Sequence, residues 1–161
     1  MTDAVATNVR YKQPRSVLVV IYTEKLDVLL LERIDYKHAW QSVTGSIEGL
    51  ESLRDTAIRE VAEETGLDAT VYELQDWQLE SDFEIFEVWR HRYAPGVTHN
   101  TEHVFGLRLP ERIDPRINPE EHSEWRWLGW EQAAELVFSP SNAEALRILP
   151  EMSKRFGPDH Q

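Results

Sequence analysis

Between Gly45 and Leu67 the chain reads GSIEGLESLRDTAIREVAEETGL, and no other stretch constrains the fold as tightly. Leu53, Ala57, Val61 and Thr65 recur at every fourth position, which predicts a helix over residues 51–65 with those side chains turned inward. Gly66 supplies the stop, since glycine tolerates the left-handed conformation that ends many helices. On this helix Glu60, Glu63 and Glu64 fall within one turn and share a face, because residues three and four apart lie one above the other. Carboxylates so close repel one another. On an ordinary acidic helix they simply face water. A hard cation such as Mg²⁺ or Mn²⁺ relieves the repulsion, since these ions take oxygen ligands and bridge carboxylates to substrate phosphates.

The rest of the chain narrows what such a site can serve. Its 161 residues suit one domain with a sizeable core. Without cysteine there is no disulfide framework and no thiolate zinc site, in keeping with a reducing compartment. The apolar runs Val17–Tyr22 and Val28–Leu31 are too short to cross a bilayer, and the N-terminus lacks a basic segment followed by an apolar one, so a cytoplasmic protein without a membrane partner is expected. A formal charge of −12, from 17 Lys and Arg against 29 Asp and Glu, opposes general attraction to nucleic acid. A small polyphosphate remains an acceptable ligand, because local cations can reverse the field at one site. Nothing in the sequence decides the oligomeric state.

Ser16–Tyr22 and Val28–Leu31 read as buried strands of a hairpin joined by the polar Glu24–Asp27. Further strands are expected within Ala69–Glu80, Glu84–Arg92, His103–Leu109 and Glu124–Trp127. Helical patterns cover Trp130–Leu136 and Ala143–Arg155, the second preceded by the turn or cap Ser139-Pro140-Ser141-Asn142 and broken near Pro150. This mixed order suggests helices packed on both faces of a sheet.

The fixed positions of the opening stretch are Gly45, then Glu51 after five residues, then Arg59-Glu60 after seven, followed by Val61, Glu63-Glu64, Gly66 and Leu67. This pattern resembles the complete signature of the Nudix hydrolases. Many separated constraints coincide, which makes it far more specific than a lone acidic pair or glycine-rich turn. The resemblance implies an α/β fold, an α/β/α sandwich with a mixed sheet and a catalytic loop-helix-loop, spanning residues 11–156 with a flexible extension over 1–10 and a flexible tail over 157–161. It further implies a divalent cation and hydrolysis of a nucleoside diphosphate attached to another group. Outside the signature, Trp40-Gln41-Ser42-Val43-Thr44-Gly45-Ser46, Phe83-Glu84-Ile85-Phe86, Arg90 to Thr98 and Asn100-Thr101-Glu102 resemble the members of the family that take a pterin triphosphate. By that resemblance the expected reaction converts dihydroneopterin triphosphate to the monophosphate and pyrophosphate, in folate biosynthesis. The alternatives are a broader pyrophosphohydrolase of dATP or an oxidised dNTP, and a non-catalytic nucleotide-binding module.

The same resemblance assigns roles residue by residue. Glu60 and Glu64 are the expected metal ligands, with Glu121, from a distant loop and preferred over Glu120, as a third. Glu63 completes the site or handles a proton. Arg59 pairs with Glu63 four residues on, and Glu51 supports the metal from outside. Substrate contacts are expected from Lys12, Arg33, Thr44, Phe83, Glu84, Ile85, Phe86 and Ser139, the aromatics walling a flat ring and the cations holding the charged tail. In a chain without the signature, each has a plainer reading: Phe in the core, Ser139 as a helix cap, the cations facing solvent. Arg90-His91-Arg92 forms a basic patch, with His91 opposite its neighbours if the segment is a strand.

Overall fold

The computed structural model describes residues 10–157. Of the expected flexible extension over 1–10 and flexible tail over 157–161, all but Arg10 and Gly157 lie outside the described residues. Seven strands form one mixed sheet: β1 (Arg15–Thr23), β2 (Asp27–Arg33), β3 (Trp40–Gln41), β4 (Val43–Ser46), β5 (Glu73–Glu84), β6 (His99–Leu109) and β7 (His122–Gly129). Helix α1 (Leu53–Thr65) lies between β4 and β5, and α2 (Trp130–Leu136), α3 (Pro140–Arg147) and α4 (Leu149–Arg155) follow β7.

β1 is the hub, and its sequence shows why. A continuous apolar run suits a strand covered on both faces. Val17, Val19 and Ile21 join Ala57 and Val61 of α1 in one core, while Leu18, Val20 and Tyr22 join Ala133, Leu146, Leu149 and Met152 of the C-terminal helices in the other. Burying each such aliphatic side chain stabilises the fold by roughly 1.5–3 kcal/mol. The α/β/α sandwich is therefore observed as expected. Along one edge the whole of β1 pairs in parallel with β6, from Arg15 opposite Thr101 to Thr23 opposite Leu109. Its other edge is divided. β4 takes Ser16 to Val19, whereas β2 meets it only at Tyr22 opposite Val28 and turns away to pair with β7. The sheet thus forks beside β4, the segment that leads to α1.

Two local expectations need correction. Helix α1 begins at Leu53 rather than residue 51, because Ser52 caps it by accepting the Asp55 N–H at 3.0 Å, while Glu51 is drawn into the preceding loop and accepts the Glu48 N–H at 2.9 Å. Its end is as expected: Gly66 has φ 75° and donates its N–H to the Ala62 carbonyl. The strand expected within Ala69–Glu80 is present as β5, which starts at Glu73 after a short 3₁₀ turn at Ala69–Val71. Glu84–Arg92 is not a strand, since β5 ends at Glu84 and Glu87–Arg92 forms a 3₁₀ turn. Arg90 closes that turn by donating to the Ile85 carbonyl at 3.0 Å and to Glu84 at 2.7 Å. The C-terminal helix breaks as foreseen, with α3 ending at Arg147 and Pro150 in the first turn of α4, where its missing N–H costs no helical bond.

Candidate active site

Two cavities open beside the fork and share a wall. One, of about 640 Å³, is acidic and is lined by Glu60, Glu63, Glu64, Glu121 and Arg33; the other, of about 630 Å³, is walled by Phe83, Ile85, Phe86, Trp89 and Phe138. Lys12, Gln41, Thr44, Gly45 and Ser46 line both. Volumes of roughly 300–1,000 Å³ suit small-molecule ligands.

The acidic cavity is organised by Arg59. Its guanidinium grips Glu51 with two parallel bonds of 2.7 and 2.9 Å, donates to the Ser46 carbonyl at 2.9 Å, and bonds Glu60. Glu63, the expected partner, is its more distant contact at 3.3 Å. The fork geometry of arginine favours the bidentate grip, which ties the loop before α1 to the helix itself. Glu51 is held down to about 2, first by Arg59. With Thr56 also donating to it at 3.0 Å, the Glu51 carboxylate is committed to the loop rather than offered to a metal.

Glu60 and Glu64 are different. Glu64 is 2% exposed, Glu60 shares a hydrogen bond with it, and burial raises the pKa of both. The Thr44 backbone N–H donates to Glu64, yet Oε1 of Glu64 has no hydrogen-bond partner among the described residues, with Nε2 of His122 3.7 Å away. Gly45 makes the packing possible, since a Cβ there would overlap the Glu60 carboxylate. Among the described residues no three acidic or histidine side chains lie in position to enclose an ion. The donor set nonetheless fits a hard cation: the buried Glu64, with an orphaned oxygen, beside the partly buried Glu60, and Glu121 close enough to raise Glu64 further. Glu63 stands apart from this pair, its side chain half-exposed.

Among the expected substrate contacts, Lys12 lies where the cavities meet, with no carboxylate within ion-pair distance among the described residues, and its pKa is lowered first by burial and then by Arg92 and Arg33. Arg33 is less free than expected, bonded twice to Asp35 at 2.7 Å and stacked over the Trp89 ring at 4.2 Å. The Thr44 hydroxyl donates to the Val17 carbonyl at 2.9 Å, so its proton is already committed. Ser139 is indeed the cap of α3, and it lines the apolar cavity as well. Phe86 is 38% exposed, stacked on Trp89 with centroids 5.4 Å apart and meeting Phe138 edge-on at 5.7 Å. The basic patch is dispersed: Arg90 pairs with Glu84 and Arg92 with Asp35.

Sequence reasoning missed several residues here. Asp35 accepts from Arg33, Arg92 and Trp89 and so fastens the turn after β5 to the loop after β2. Trp89 and Phe138 were not singled out, because aromatic residues in unrelated segments carry no periodic signal, and Glu102 entered only as part of the Asn100-Thr101-Glu102 segment, with no role of its own. Glu102 is pushed up to about 7 by burial.

A buried acidic pair on a helix, braced by one arginine against a glycine loop at the edge of a mixed sheet, is the arrangement that the Nudix signature encodes, and the NUDIX domain model matches residues 12–149. The chain belongs to the Nudix family. It is 47% identical over 139 residues to the dihydroneopterin triphosphate diphosphatase of Escherichia coli strain K12, covering 84% of this chain and 91% of that protein. To the enzyme of that name from Haemophilus influenzae it is 42% identical over 141 residues, covering 86% and 88%. The solved structure of the E. coli dihydroneopterin triphosphate pyrophosphohydrolase superimposes with a TM-score of 0.81 at 46% identity, covering 85% of this chain and 94% of that one.

Proposed function

We propose that this chain hydrolyses dihydroneopterin triphosphate to dihydroneopterin monophosphate and pyrophosphate, as a cytoplasmic enzyme of folate biosynthesis whose Nudix domain spans residues 11–156 and whose cofactor is Mg²⁺, with Mn²⁺ able to replace it. The observation that carries the reading is the common wall: a flat apolar slot adjoins an acidic cavity across Lys12, Thr44 and Gly45, so a ring and its phosphate chain fit the two halves at once. The substrate relationship of the E. coli and H. influenzae enzymes supports the choice of ring.

Glu60, Glu64 and Glu121 would hold the cation, which when bound supplies polarisation of the phosphoryl oxygens and acidification of water. The chain's own residues do the rest. Arg59 fixes Glu60 and the Gly45–Glu51 loop in place, so the carboxylates are set before substrate arrives. Lys12 offers an ammonium to the phosphate chain where it passes between the cavities. Water adds across the bond between the first and second phosphates, and Glu63, the half-exposed carboxylate of the helix, would accept its proton. Phe86, Trp89 and Phe138 hold the ring and exclude water from it.

A side-by-side assay of dihydroneopterin triphosphate, dATP and oxidised dGTP with the products identified tests this reading. The expected result is a clear kcat/KM preference for the pterin, with pyrophosphate released. A preference for either deoxynucleotide, or release of orthophosphate alone, would overturn it.

A further inference from the structure

The apolar cavity contains two buried polar residues that the proposed chemistry leaves idle. Asn100 and Glu102 are two apart on β6, so their side chains leave the same face of the strand, and both line the cavity while only 3% and 5% exposed. Glu102 accepts from the Ser141 hydroxyl at 2.9 Å, and among the described residues no Lys, Arg or His lies within ion-pair distance of it. Asn100 donates from Nδ2 to the Ser16 hydroxyl at 2.7 Å, which leaves its Oδ1 buried without a partner. Acceptors left without donors in an apolar slot destabilise the empty protein, and a ligand bringing the matching donors removes that cost.

A carboxylate matches two adjacent N–H groups in one plane, because its two oxygens can accept in parallel. We infer that Glu102, aided by Asn100 Oδ1, reads the ring N–H and the amino group of a 2-amino-4-oxo heterocycle, the edge that pterins and guanine share. Adenine presents a ring lone pair at the corresponding position and is turned away by the same oxygens. The inference rests on the reading above that this cavity takes the ring, and it names the group that chooses the ring. The elevated pKa of Glu102 is in keeping with it, since burial alone disfavours the charge and two ligand donors would restore it.

dGTP and dITP differ only in the 2-amino group, so they probe Glu102 without requiring the pterin. With the full-length chain, each is titrated by Trp fluorescence without added metal, and kcat/KM is measured with Mg²⁺, for the wild type and Glu102→Gln. The wild type is expected to favour dGTP over dITP by ~10-fold or more, and the variant by less than ~2-fold, with dGTP losing more than dITP because dITP brings only the ring N–H. Equal handling of the two by the wild type overturns the inference even if the variant fails to fold, and so does an undiminished ratio in a folded variant. Should dihydroneopterin triphosphate prove a poor substrate while the dGTP preference holds and falls in Glu102→Gln, the proposed reaction fails and this inference stands.

Discussion

The two cavities share a wall but are built in opposite ways. The acidic one takes three of its carboxylates, Glu60, Glu63 and Glu64, and the bracing Arg59 from one helix and Gly45 from β4 just before it, while Lys12, Arg33 and Glu121 reach it from elsewhere in the chain. Beyond the shared wall, the apolar one gathers Phe83 to Glu87 and Trp89, Asn100 and Glu102, and Phe138 to Asn142 from separated regions of the chain. One can therefore change its ligand preference by substitution along any of several strands and loops while the other stays fixed. The comparison teaches that chemistry here is local and selectivity is tertiary.

The sharpest way to break that division is at the buried acidic pair. Glu60→Gln and Glu64→Gln preserve shape while removing the charge a cation needs, and each is expected to lower kcat by ~10²-fold or more with KM little changed. Glu64→Gln should melt no lower than wild type, because it removes a buried carboxylate whose Oε1 has no partner. Rates are to be compared across a Mg²⁺ titration beside thermal melts. Full turnover at limiting metal in both variants would end the assignment, and the same comparison for Glu121→Gln tests the remote ligand.

Arg59 should couple the local chemistry to stability. Its guanidinium bonds Glu51, Glu60 and Glu63, and it is 20% exposed, so Arg59→Ala leaves carboxylates crowded without their counter-ion. A loss of ~2–3 kcal/mol is expected, somewhat below the figure for a fully buried pair, together with a fall in turnover. Arg59→Lys should recover part of the stability but not the bidentate grip on Glu51. Chemical denaturation of the three proteins measures both effects, and an unchanged midpoint in Arg59→Ala would show that the cluster tolerates its own repulsion.

The same division explains what could be read from sequence. The α1 periodicity, the Ser52–Gly66 limits to within two residues, and the acidic pair were legible because helical geometry converts spacing directly into proximity. The α/β/α layering was legible because β1 is apolar on both faces. Arg59 gripping Glu51 in addition to meeting Glu63 was not, since Glu51 lies outside the helix and returns through a loop. Nor was the turn at Glu87–Arg92: its arginines look like a basic patch until Glu84 and Asp35 are seen to take them. Phe138 meets Phe86 and Trp89 only through tertiary packing.

On the apolar side, Phe86→Ala and Trp89→Ala should raise KM by ~3–10-fold with a smaller change in kcat and no change in the Mg²⁺ requirement, the converse of the Glu60 result. Trp89→Ala should be the more disruptive, because it also removes the ring under Arg33 and a donor to Asp35. Steady-state kinetics at several Mg²⁺ concentrations would show the division failing if either variant shifted the metal dependence.

The smallest effect expected comes from charge outside both cavities. His103 of β6 contacts Asp76 at 2.6 Å and Glu80 at 3.0 Å. Burial alone would lower its pKa, but the hydrogen bonds to Glu80 and Asp76 prevail and raise it above the ordinary 6.5. The folded state therefore holds this proton more tightly than the unfolded chain does. Its stabilisation is complete below pH 6.5 and is lost as pH rises through the folded-state value. His103→Gln should accordingly melt below wild type in mildly acidic buffer, and the gap should close as the buffer is made alkaline. At any one pH, kcat/KM should match wild type, since neither cavity includes His103. A melting difference that stays constant with pH would mean that His103 acts by packing against Phe105, 5.2 Å away between ring centres, rather than by charge.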